Sequence, residues 1–137
     1  MGYVLSKIWT RLTGNKDEPI KVVVVGMANS GKTTILYKLS LGEVVITQPT
    51  IGSNIEEVEH SNIKMQVWDL GGQENLRSHW DAYYQNTHAV IFVVDSADDS
   101  QMMTSKAEFF NLLVNNELSD CSILIFANKQ DLPMAKN

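Results

Sequence analysis

A single cysteine, Cys121, stands among the 137 residues. No disulfide can form within the chain, and a reducing, cytosolic setting is the expectation. Cys121 itself reads as a small buried side chain at the start of a strand. No apolar run approaches the ~20 residues that a bilayer-spanning helix needs, and nothing in the sequence reads as secretory. Basic residues are the minority, 11 Lys and Arg against 16 Asp and Glu, for a net charge of −5. Without a basic patch there is no surface to complement a nucleic-acid backbone, so nucleic acid is not an expected partner. Internal repeats and low-complexity stretches are missing too. What remains, 44% apolar and 20% charged residues, is the composition of one globular domain, expected to act as a monomer.

Against this plain background one stretch stands out. Gly26-Met27-Ala28-Asn29-Ser30-Gly31-Lys32-Thr33 fits the pattern G-x-x-x-x-G-K-[ST]. The β-branched run Ile20-Lys21-Val22-Val23-Val24-Val25 precedes it and predicts a buried strand. Thr34-Ile35-Leu36-Tyr37-Lys38-Leu39 follows with helical spacing, a helix expected to end near Ser40. Strand, glycine loop and helix start together make an anion site, in which backbone N–H groups and the helix N-terminus face a phosphate. Gly26, Asn29, Ser30, Gly31 and Thr34 belong to that cradle. Lys32 would reach the β- and γ-phosphates, and the Thr33 hydroxyl would ligate Mg²⁺.

The chain begins Met1-Gly2-Tyr3-Val4-Leu5-Ser6-Lys7, the N-myristoylation pattern M-G-x-x-x-[ST]. Residues 1–14 predict an amphipathic helix, apolar at Tyr3, Val4, Leu5, Ile8, Trp9 and Leu12 and basic at Lys7 and Arg11. One myristoyl chain holds a membrane only marginally, and such a helix can be the second element. Residues 15–19 read as a linker. Beyond the phosphate loop, residues 41–52 form a loop in which Pro49 blocks regular pairing and Thr50 follows it. Residues 55–59 and 63–68 alternate around the turn 60–62 and predict a hairpin. Residues 89–94 predict a strand closed by Asp95, and 122–127 a last strand. Between them a helix is expected over 100–118, with Met102, Met103, Ala107, Phe110, Leu113 and Val114 on its core face.

Strands alternating with helices predict an α/β fold with a mostly parallel sheet and one antiparallel hairpin strand. Ligand loops then belong at the carboxyl ends of the strands. Gly26–Thr33, Asp69–Gln73, Asp95 and Asn128–Asp131 all fall there. Asp69 is suited to hold Mg²⁺, directly or through water. Gly72, without a Cβ, can bring its N–H close to a γ-phosphate, and Gln73 is placed to orient an attacking water, the catalytic role. Thr50 could give a hydroxyl oxygen to Mg²⁺ and its N–H to the γ-phosphate, so that loss of that phosphate frees its loop. Asp131 can accept from both N1–H and the 2-amino group of guanine, a donor pair that adenine lacks. Asn128 would buttress the ring, and the stem of Lys129 would cover it.

Gly-x-x-x-x-Gly-Lys-Thr, Pro-Thr-Ile-Gly at 49–52, Trp-Asp-Leu-Gly-Gly-Gln-Glu at 68–74 and Asn-Lys-Gln-Asp at 128–131 together resemble the Arf family of small GTPases. The likeness runs from Met1 to Asn137, and the Gly2 helix is part of it. Residues 49–57 are most similar to the fifth Arf-like subgroup, whose members are associated with the trans-Golgi network. The resemblance implies a P-loop small-GTPase fold and a cytoplasmic, reversibly membrane-associated GTP/GDP switch using Mg²⁺. It further implies an exchange factor, a GTPase-activating protein and effectors, the last meeting a surface that includes Trp68 and Tyr83. GTP binding would shift the hairpin and expel the N-terminal helix to the membrane. Ser53 stands where Arf proteins proper carry Phe, and Ala28 where the family commonly has Asp. No arginine is placed as a built-in finger, so hydrolysis should be slow until a partner supplies one.

Family members continue past the position of Asn137 with a strand, a guanine-backing loop and a closing helix. On that comparison the GTP-binding domain, 20–137, is expected to lack its last strand and helix, leaving an exposed strand edge and weakened guanine affinity. A second reading follows: a nucleotide-deficient membrane adaptor that keeps the effector surface. A third, a P-loop ATPase or kinase, conflicts with Asn128–Asp131.

Overall fold

In a computed structural model, the structure describes residues 19–42, 50–60 and 63–137. The amphipathic segment 1–14 with Gly2, all of the linker but Pro19, Pro49 and the hairpin turn at 61–62 lie outside the described residues.

The valine run forms β1 (Ile20–Gly26), buried from both sides. Helix α1 (Lys32–Leu41) follows the loop and ends at Gly42, whose left-handed backbone returns its N–H to Lys38 O. The hairpin is β2 (Ser53–His60) and β3 (Ile63–Leu70). A one-turn helix α2 (Glu74–Arg77) and a 3-10 turn at Trp80–Tyr83 lead into β4 (Ala89–Asp95). Helix α3 (Asp99–Leu113) and β5 (Ser122–Asn128) complete the described elements. The sheet order is β2-β3-β1-β4-β5, with β2 antiparallel to β3 and all other pairs parallel. That is the expected α/β fold. The carboxyl ends of β1, β3, β4 and β5 do carry the four expected loops.

Alternation along each central strand divides the core in two. Val23, Val25, Val90 and Phe92 face one side, with Leu70, Trp80, Tyr84, Leu112 and Leu118. Val22, Val24, Ala89 and Val93 face the other, with Leu36, Val58 and Val67. A sheet covered on both faces is why these strands read as continuous apolar runs rather than alternating ones. No helix of the described residues is long and apolar enough to cross a membrane. Cys121 packs against the first cluster, its thiol donating to Thr87 O at 2.9 Å and pushed up in pKa by burial, then by Asp120.

Helix α3 departs from expectation twice. It stops at Leu113, and a separate 3-10 turn at Asn116–Leu118 follows, because the Asn115 side chain accepts Glu117 N–H at 2.9 Å and restarts the chain. Its core side is also rotated. Ser105 and Leu112 are buried and Phe109 lies edge-on against Phe92 at 5.3 Å, while Met103, Phe110, Leu113 and Val114 are exposed. The helix is apolar on two sides, and the sheet chose the stripe that carries Phe109.

Phe92 is 1% exposed at the centre of the first cluster. Phe92→Ala should lower unfolding stability by about 3–5 kcal/mol through lost burial and the cavity left behind. Urea unfolding checks this; a loss below about 1 kcal/mol would mean that the neighbours collapse into the space.

Candidate functional site

The loop between β1 and α1 turns because Gly26 and Gly31 adopt backbone angles that other residues resist, φ +153° and +96°. A Cβ on Gly26 would lie 2.2 Å from Val93 O, and one on Gly31 2.2 Å from Asn128 Nδ2. The loop therefore presses on β4 and β5 at once. Asn128 Nδ2 donates to Ser30 O at 2.8 Å, and Lys129 Nζ to Asn29 O and Asp95 Oδ2, each at 2.6 Å. On the opposite side Ala28 N–H donates to Gly72 O at 3.1 Å. A cleft of about 440 Å³ opens above, lined by Ala28, Asn29, Gly31, Lys32, Thr33, Thr34, Thr50, Gly72, Gln73 and Lys129.

Asp69 is fully buried beneath the cleft at the end of β3. Its Oδ2 accepts from the Thr33 hydroxyl and, at 3.3 Å, from the Thr50 hydroxyl, and the two hydroxyls are 2.9 Å apart. Its Oδ1 is buried without a partner. Burial raises the carboxyl's pKa, against the pull of the Thr33 bond, the Lys32 charge and the Thr50 bond. Two hydroxyls and a carboxylate with a free oxygen are the hard oxygen donors that a Mg²⁺ ion takes, completed by water and phosphate. Three segments expected to share one ion are thus brought together. Lys32 is 6% exposed and folds back to donate to Met27 O at 2.8 Å.

The Gln73 side-chain oxygen is buried and unpaired beside the cleft, as is the Ser30 hydroxyl. Gly72 has no room for a side chain: a Cβ would lie 2.4 Å from Gly26 O and 2.5 Å from Ala28 N. Asn128 and Lys129 are tied to the loop, whereas Asp131 is exposed and does not line the cleft. Trp68 and Tyr83 stack obliquely, with centroids 5.8 Å apart, half-buried against the core rather than fully displayed.

Further contacts of the site emerge only in three dimensions. Asp95 anchors Lys129, and the Ser96 hydroxyl donates to Asn128 O. Lys21 sits 5.0 Å from the Trp68 ring centroid and donates to the carbonyls of Tyr83 and Gln85. Ile51, beside Thr50, is 90% exposed. Of these, Asp95 had a sequence signal in its position at the end of a strand, and Ile51 in the Pro-Thr-Ile-Gly motif.

The sequence profile of the ADP-ribosylation factor family, Arf, matches residues 5–137. The chain belongs to the Arf family. ADP-ribosylation factor 3 of Arabidopsis thaliana is 51% identical over 135 residues, which are 98% of this chain and 73% of that protein. ADP-ribosylation factor-like protein 1 of Saccharomyces cerevisiae is 48% identical over the same shares. Among solved structures, the Arl6 BBS3 small GTPase from Trypanosoma brucei with the bound nucleotide analogue GppNp superposes with a TM-score of 0.79. It is 35% identical, with 87% of this chain and 72% of that chain covered. This Arf-family chain is accordingly a small GTPase, binding GTP and GDP with Mg²⁺.

Burial pushes the Lys32 ammonium down to about 8, with Asp69 partly opposing. A bound phosphate restores its full charge, so affinity should fall as pH rises past the free-state value. At pH 8, GDP binding should take up about half a proton, and at pH 6.5 almost none from this group. Calorimetry in buffers of different ionisation enthalpy measures it; zero uptake at pH 8 would mean that Lys32 is already charged in the free protein.

Proposed function

We propose that the chain is a membrane-associated GTP/GDP switch in vesicle traffic at the Golgi, cycling slowly unless partners act on it. The convergence of Thr33, Thr50 and Asp69 beneath the cleft is the observation that carries the switch. Thr50 belongs to a loop separated in sequence from the phosphate loop, and its hydroxyl meets the Thr33 hydroxyl and the Asp69 carboxylate there, while Gly52 O of the same loop accepts from Gly71 N–H at 2.9 Å. A ligand that engages Thr33 and Asp69 therefore controls the Thr50 loop, and with it the exposed Ile51.

In this reading Gly26, Asn29, Ser30, Gly31, Lys32 and Thr34 hold the phosphates by backbone N–H groups and the Lys32 ammonium. Thr33, Thr50 and Asp69, the last directly or through water, hold Mg²⁺, which supplies charge neutralisation on the phosphate oxygens. Gly72 presents its N–H to the γ-phosphate, and Gln73 orients the attacking water. Asn128 and Lys129 bridge base and loop, and Asp131 reads guanine. Its exposure fits an edge contact at the rim of the cleft. An activating protein would add a positive charge at the transition state, worth ~10³–10⁵ in rate. Trp68 and Tyr83 form an effector surface.

Membrane attachment is supported by Gly2 in its acylation pattern and by the amphipathic 1–14 stretch. A place at the trans-Golgi network rests on the likeness of residues 49–57 to the fifth Arf-like subgroup.

Fluorescent GDP and GTP should bind the purified chain in a Mg²⁺-dependent manner, with GTP but not ATP competing. Equal displacement by ATP would remove the guanine assignment from Asp131. Gln73→Leu should slow partner-stimulated hydrolysis by at least about 100-fold with GDP affinity held, since an oriented water is lost. An unchanged rate would take Gln73 out of catalysis. Co-expression with an N-myristoyltransferase should add one myristoyl mass at Gly2; an unmodified chain that stays off vesicles would count against the membrane role.

A further inference from the structure

Arg77 closes α2, one turn beyond Gln73, and points back across the chain. Its Nε donates to Glu108 Oε1 of α3 at 3.2 Å, and its Nη1 to Gly72 O at 3.3 Å. The two side chains are 14% and 24% exposed, so the pair is partly shielded from water. The same Gly72 oxygen accepts Ala28 N–H from the phosphate loop at 3.1 Å. The Gln73 carbonyl is fixed as well, accepting from Leu76 N–H at 2.9 Å and Arg77 N–H at 3.0 Å. Glu108 sits next to Phe109, which packs on Phe92 of β4. A helix seated on the sheet thus holds a guanidinium, and the guanidinium holds one peptide of the loop under the cleft.

We propose that the Gly72–Arg77–Glu108 contact is a clamp that positions Gln73 for GTP hydrolysis. A peptide unit is planar, so the Gly72 C=O and the Gln73 N–H point in opposite directions along one fixed plane. Fixing the carbonyl between Arg77 and Ala28 sets that plane, and the plane sets where the Gln73 side chain starts. Arg77 is a positioning residue: it acts through Gln73 and has no part in holding GDP. Its planar fork serves a carboxylate and a carbonyl at once, a geometry that a lysine ammonium does not reproduce. Glu108 holds the fork in place and is the second half of the same device. The inference rests on the Gln73 role proposed above.

Single-turnover hydrolysis of GTP by the full chain tests it, with Arg77→Ala, Glu108→Ala and the double variant, each also in a Gln73→Leu background. Each single variant should slow hydrolysis about tenfold, and the double no more than the worse single, as expected of residues acting as one unit. In the Gln73→Leu background the same changes should have no further effect, and GDP affinity should stay within about twofold. Equal slowing in that background would overturn the clamp, as would an unchanged rate or a parallel loss of GDP affinity. Hydrogen exchange over residues 71–77 of the GDP-bound chain gives a readout independent of turnover. Faster exchange in both single variants supports the clamp, and unchanged exchange overturns it. A parent chain that binds GDP but does not hydrolyse GTP even with a GTPase-activating protein added, while exchange still responds, would sink the Gln73 role and with it the clamp's part in hydrolysis.

Discussion

A carboxylate with no exposure, Asp69, is the constraint around which the site is built. An isolated buried charge is costly enough that a chain either neutralises it or surrounds it with donors. Here two hydroxyls converge on one oxygen and leave the other unpaired. Satisfying Asp69 draws together the start of α1, the Thr50 loop and the end of β3, which are separated by 17 and 36 residues from Thr33. The Lys32 charge acts on the same carboxyl, yet its second oxygen has no hydrogen-bond partner. The same unmet demand that makes the site costly in the free chain fits it to take a hard cation.

The sheet makes that geometry available. Parallel β1, β3 and β4 end at one level, so the loops leaving them face one another. Gly26 has no space for a side chain against β4, and Gly31 none against Asn128. The loop is wedged before any ligand arrives, and its N–H groups are oriented without a fresh ordering cost on binding. Lys32 is held in the same way, against Met27 O.

Much of this was legible because the signals are backbone requirements. Glycines at fixed spacing after a β-branched run, and polar residues ending apolar strands, specify loops whatever the distant packing does. The core face of α3 was not legible in the same way. Met103, Phe110 and Val114 are as apolar as the residues that bury, and only the shape of the sheet chose between the two sides. Its end was missed because Asn115 caps a new turn with its own side chain. Lys21 and Arg77 were invisible for another reason. Their partners lie 62 and 31 residues away, and nothing local to a lysine or an arginine announces such contacts.

The phosphate loop is tethered on opposite sides by unlike partners. Ala28 N–H reaches the Gly72 loop, while Ser30 O and Asn29 O receive side chains from the end of β5. The Gly72 loop leads through α2 toward Trp80 and the half-buried aromatic pair; the β5 end leads on to Lys129 and Asp131. Displacing the loop by a few tenths of an ångström has to lengthen one set of bonds or the other, since packed interiors do not absorb such shifts evenly. The Gly72 loop and the end of β5 are thereby joined through one short backbone segment. The side chain at position 28 is exposed and takes no part in the bond that its N–H makes. Alanine there keeps that backbone bond and presents a methyl group to the cleft it lines.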